Sequence, residues 1–190
     1  MRIKSLVIPA LLSALMSLAG TAHAGQYSFD YKAGGYDVSG IFTTSNILNS
    51  VNGYDITGIT GTVTGTGGGT INSLINNPNG ANPTTDYTLG FVYDNVLFPN
   101  KATSLDIDGV LFTTKSGNTT STWNLWGTAT GGYELYSYTA NNGGVADVIS
   151  TASSLTVTAV SEPDTNTLLL GGLALVGFVG RRRNKNFNVD

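Results

Sequence analysis

Asp106-Ile107-Asp108-Gly109 sets two carboxylates on one side of an extended segment, with Asp94-Asn95 a short way upstream. Side chains two apart share a face of a strand. Hard oxygen ligands of this kind suit Ca²⁺, so Asp106 and Asp108 are the candidate calcium ligands, and no other cofactor is indicated. An EF-hand loop would need a longer ladder of ligands and a bidentate acid at its twelfth position, where Gly117 stands. The same Asp side chains would serve equally well as caps on a solvated turn.

Other chemistry is bounded by what the chain lacks. It contains no Cys and a single His, His23, which falls in a segment expected to be removed. Thiolate and imidazole metal sites, Cys nucleophiles and Ser-His-Asp arrangements are thereby excluded from the mature protein. Glu134 is the only Glu between residues 25 and 160. Flanked by Tyr133 and Leu135, it reads as a solvent-facing strand residue rather than half of a glycosidase pair. Lys115-Ser116 lacks the Ser-x-x-Lys spacing of a Ser-Lys nucleophile. A protein without catalytic residues is expected, with a glycan-active hydrolase the remotest alternative.

Trp123, Trp126, Tyr133, Tyr136 and Tyr138 gather toward the end of the same region. Exposed rings stack on sugars, which makes Trp123 and Trp126 the candidate ligand-binding residues and a carbohydrate-binding, lectin-like module the alternative function. On one strand the two indoles would face opposite sides. Core packing would claim the inward one.

Short strands must position these groups. Gly, Thr, Ser and Asn dominate residues 25–160, and Tyr27, Phe29 and Tyr31 alternate with Ser28, Asp30 and Lys32. Similar period-two segments cover 36–43, 54–63, 70–75, 88–93, 110–114, 121–126, 133–139 and 155–160. Turn signals separate them, among them Gly34-Gly35, Asn52-Gly53, Gly67-Gly68-Gly69, Gly131-Gly132 and Asn142-Gly143-Gly144. Nine or more such strands predict an all-β fold, a single β-sandwich or jelly-roll-like domain. Val96, Leu97 and Phe98 are expected to plug its core, with Pro99 ending their strand, and 76–83 to form an exposed loop. The region holds three Lys, no Arg, eight Asp and one Glu, a formal charge of −6. Nothing there could neutralise a row of phosphates, so nucleic acid is not an expected partner.

Both ends carry addresses. Arg2 and Lys4 precede an apolar stretch over 6–19, and Ala22-His23-Ala24 offers small residues where signal peptidase reads them. Residues 1–24 are therefore expected to form a signal helix cleaved after Ala24, leaving Gly25 first. At the other end Ser161-Glu162-Pro163 is followed by an apolar run over 167–180 and by Arg181, Arg182, Arg183 and Lys185. As a helix that run would be about 21 Å long, short against a hydrocarbon core of about 30 Å. The cations would remain cytoplasmic by the positive-inside rule. The chain thus reads as a signal peptide over 1–24, an exported domain over 25–160 and a sorting tail with a short transmembrane helix over 161–190.

This tail resembles the PEP-CTERM tails of Gram-negative bacteria, which the membrane cysteine protease exosortase recognises. Ser161-Glu162-Pro163 stands where the family has Pro-Glu-Pro, so the first proline is missing. The resemblance covers about residues 160–185 and implies cleavage near the Glu-Pro step after a transient stay in the inner membrane. Release to the cell surface or the exopolysaccharide matrix would follow, with exopolysaccharide as a candidate partner. Asp94-Asn95-Val96-Leu97-Phe98-Pro99, the run over 105–112, Asn124-Leu125-Trp126 and Gly132-Tyr133-Glu134-Leu135 also look like a recurrent type of PEP-CTERM protein. That likeness implies a shared fold and carries no assigned activity.

Overall fold

A computed structural model describes residues 25–139, 147–148, 154–160 and Gly172. The predicted signal helix, Ala22, Ala24, the Asn142-Gly143-Gly144 turn, Ser161, Glu162, Pro163, the C-terminal apolar run, Arg181, Arg182, Arg183 and Lys185 lie outside them. No helix among the described residues is long and apolar enough to cross a membrane. His23–Val160 is one compact unit.

That unit is all-β, as expected. Its strands are β1 (Gln26–Ala33), β2 (Tyr36–Leu48), β3 (Tyr54–Thr64), β4 (Gly69–Leu74), β5 (Thr84–Asp86), β6 (Phe91–Tyr93), β7 (Val96–Leu97), β8 (Val110–Ser116), β9 (Thr119–Gly127), β10 (Tyr133–Thr139), β11 (Asp147–Val148) and β12 (Ser154–Ala159). One antiparallel sheet runs β11-β10-β9-β8-β4-β3-β2-β1-β12, with β7 paired to β3. Where a single β-sandwich or jelly-roll-like domain was expected, the main sheet is one that curls on itself, and β5 and β6 form a separate two-stranded sheet. Flat, nine strands would hold β11 and β12 about 38 Å apart. The residues between them, 149–153, can span only about 20 Å.

Facing glycines let two of its strands approach closely. Gly40 and Gly61 are cross-strand partners on β2 and β3. A Cβ on either would fall about 2 Å from a carbonyl oxygen of the other strand, and Gly61 has φ +141°. Only glycine permits that approach.

Alternation delivers the core to the concave side. Tyr31, Val38, Phe42, Val110, Phe112, Trp123, Leu125 and Leu135 are fully buried there. Each apolar side chain so enclosed contributes about 1.5–3 kcal/mol relative to exposure. Phe29 stacks on Phe42 at 4.1 Å, while Tyr36 of β2 meets Trp123 of β9 edge-on at 5.9 Å. Three strands separate β2 from β9 within the sheet, so this contact crosses the interior. Val96, Leu97 and Phe98 are buried as expected.

The segment 88–93, expected as one strand, is instead the second half of a hairpin. Asp86 Oδ1 accepts hydrogen bonds from the amides of Thr88 (2.9 Å) and Leu89 (3.1 Å). That local competitor to strand pairing turns β5 into β6. Phe91 and Tyr93 then cover Leu111, which faces away from the main core, with Leu89, Tyr136 and Tyr138 around them.

Candidate functional site

Asp94, Asp106 and Asp108 come together outside the core, one carboxylate oxygen of each lying within 4.8 Å of the others. The backbone brings Asp94 to the pair. The amides of Asp94 (3.2 Å) and Asn95 (2.9 Å) both donate to the Gly109 carbonyl. Asn95, at φ 56°, accepts from the Leu111 amide through Oδ1 (3.1 Å) and donates to the Ile75 carbonyl through Nδ2 (2.8 Å). An Asn tolerates this left-handed geometry because its side chain stands in for backbone. Gly109 (φ +68°) packs against the Leu125 carbonyl, where a Cβ would fall 2.3 Å away.

Asp94 is only 4% exposed. Burial, followed by the charge of Asp106, raises its carboxyl to about 8, and Asp108 is raised by burial and then by Asp106. Like charges held this close favour retaining a proton or taking up a cation. Three carboxylates are a hard donor set that fits Ca²⁺, with water completing its usual six to eight oxygens. The capping alternative is also visible. Asp106 Oδ1 accepts from the amides of Asp108 (3.1 Å) and Gly109 (3.3 Å), and Asp94 Oδ1 from Val96 (3.1 Å).

Asp108 also lines a cleft of about 390 Å³ between the β5–β6 hairpin and the outer face of β9 and β10. Leu89, Phe91, Val92, Ile107, Trp126 and Tyr136 supply its apolar lining and Asn124 its floor. Trp126 lies 5.7 Å from Tyr136, which meets Phe91 edge-on at 6.5 Å. Asn124 is 5% exposed, and its Nδ2 donates to the Val92 carbonyl at 2.9 Å, fastening the hairpin to β9. Asn124 Oδ1 and Trp126 Nε1 are buried with no hydrogen-bond partner. A polar atom left so costs about 1–3 kcal/mol. Burial, then the charge of Glu134, raises the Tyr136 phenol.

The two candidate tryptophans part company here. Trp126 borders the cleft, but Trp123 is fully buried and its Nε1 donates to Thr114 Oγ1 at 2.8 Å. Trp123 is thus a core residue on the inward face of β9, away from the cleft that Trp126 borders. Tyr133 is likewise buried, its hydroxyl accepting from the Ser104 amide at 2.7 Å. Glu134 pairs in register with Trp126 and so shares the outer face. Neither Asn124 nor Phe91 is among the site residues that the sequence points to. The Asp86 turn that folds a hairpin over β9 was the available signal.

An acidic all-β domain with its last strand ending at Ala159 directly precedes a tail of recognisable type. Residues 159–183 match the PEP-CTERM protein-sorting motif. The chain therefore carries the signal by which exosortase recognises a protein during export through a membrane-associated sorting step. No curated protein and no solved structure matches the chain.

Proposed function

We propose that this is a non-enzymatic protein of the cell surface or extracellular matrix, in which the β domain is a binding cargo and the tail its delivery signal. The sorting motif over 159–183 carries this reading. The scarcity of groups for acid-base work supports it, since residues 25–160 hold one Glu, no His and no Cys. Calcium is the cofactor this reading takes, at Asp94, Asp106 and Asp108.

Signal peptidase and an exosortase-type protease are the processing partners. Intact-mass measurement on exported protein should give an N-terminus at Gly25 and a C-terminus near Glu162 or Pro163, without Arg181 to Lys185. A stable membrane form retaining the basic cluster would instead make the tail a permanent anchor. Reducing ends released from polysaccharides by wild type and not by a Glu134→Gln or Asp108→Asn variant would make the protein an enzyme.

A further inference from the structure

The cleft beside Trp126 has the chemistry of a sugar site. Resting on the reading of an exported binding protein, we infer that it is a saccharide subsite: Trp126 and Tyr136 pack against the C–H face of one ring, and Asn124 and Trp126 hydrogen-bond its hydroxyls. Asn124 Oδ1 is an unpaired acceptor and Trp126 Nε1 an unpaired donor. They belong to residues two apart on one strand, hence on one face. A hydroxyl both donates and accepts, so neighbouring hydroxyls of a ring answer both atoms.

Alternative occupants answer only part of the site. Water would satisfy the two polar atoms and leave the apolar lining wet, including Ile107 (58% exposed) and Val92 (41%) at the rim. A purely apolar ligand would cover that lining, but both polar atoms would stay unpaired and Asp108 would lose solvent. A pyranose joins a hydroxyl edge to an apolar face. The cleft, at about 390 Å³, falls within the range of about 300–1,000 Å³ usual for small-ligand sites. Reaching the two enclosed atoms requires rotation of Trp126 and Tyr136, both half-buried.

The test titrates the full chain, held in a detergent without a sugar headgroup, with oligosaccharides of β-glucan, α-glucan, xylan and chitin and with polygalacturonate. Calorimetry and tryptophan emission follow binding. Saturable binding of at least one is expected. Trp126→Phe keeps a ring but removes the donor, and should weaken that binding about three- to tenfold without lowering Tm. Trp126→Ala should abolish it. No binding across the panel, or binding that both variants leave unchanged, would overturn the inference. Neither outcome touches the termini measured by mass, on which the export reading stands or falls.

Discussion

Asp94 governs how the domain responds to pH. Its carboxyl titrates near about 8 in the fold and near 3.8 otherwise, so between those values the native state holds a proton that the unfolded chain has released. The stability linked to this group is full below about pH 4 and is lost as pH rises toward about 8. Thermal unfolding in EDTA should therefore show Tm falling between about pH 5 and about pH 8, and Asp94→Asn should flatten that slope. An unchanged slope in the variant would assign the response to other groups. Ca²⁺ competes with the proton for the same oxygens, so adding it should restore Tm near pH 8 and do little near pH 5. Equal Tm with and without Ca²⁺ near pH 8 would return the cluster to turn capping. Asp106 and Asp108 were legible as a pair because alternation alone puts them on one face. Asp94 joins them through the Gly109 carbonyl, a contact that no local pattern announces. Asn124 escaped for a similar reason: between Trp123 and Leu125 it reads as solvent-facing, and only the overlying hairpin buries it.

Elements were more readable than their arrangement. The strand expected at 133–139 is β10 as found, and those expected at 110–114 and 121–126 grow by a few residues into β8 and β9. Period-two patterning fixes a strand's faces but not its neighbours, so the strand order and the curl of the main sheet were not legible. The Gly40–Gly61 approach was hidden because each glycine sits inside an expected strand and only the register sets them opposite. The short β7 is the clearest test of an element's weight. Phe98, just after it, is 4% exposed, with the Lys101 ammonium 3.6 Å above its ring. Phe98→Ala should cost about 3–5 kcal/mol in denaturant unfolding. A loss below about 1 kcal/mol would mean that β7 is a surface clip and not part of the packing.

At the scale of the whole molecule, β12 pairs with β1 across more than a hundred residues of sequence, from Tyr27↔Ala159 to Lys32↔Ser154. So non-local a closure makes folding slow, and the strand that completes it is the last to be synthesised. Leu155 and Val157 pack against the main core. Truncation after residue 153 should therefore lower Tm and broaden the unfolding transition followed by circular dichroism. Unaltered melting would show that the sheet is complete without β12. Antiparallel pairing also decides where the chain enters and leaves the domain. The Val160 amide donates to the Gln26 carbonyl at 2.8 Å, so the two exits lie side by side, about one strand spacing of 4.8 Å apart. A chain held at a membrane by both ends would hang from what is effectively a single point.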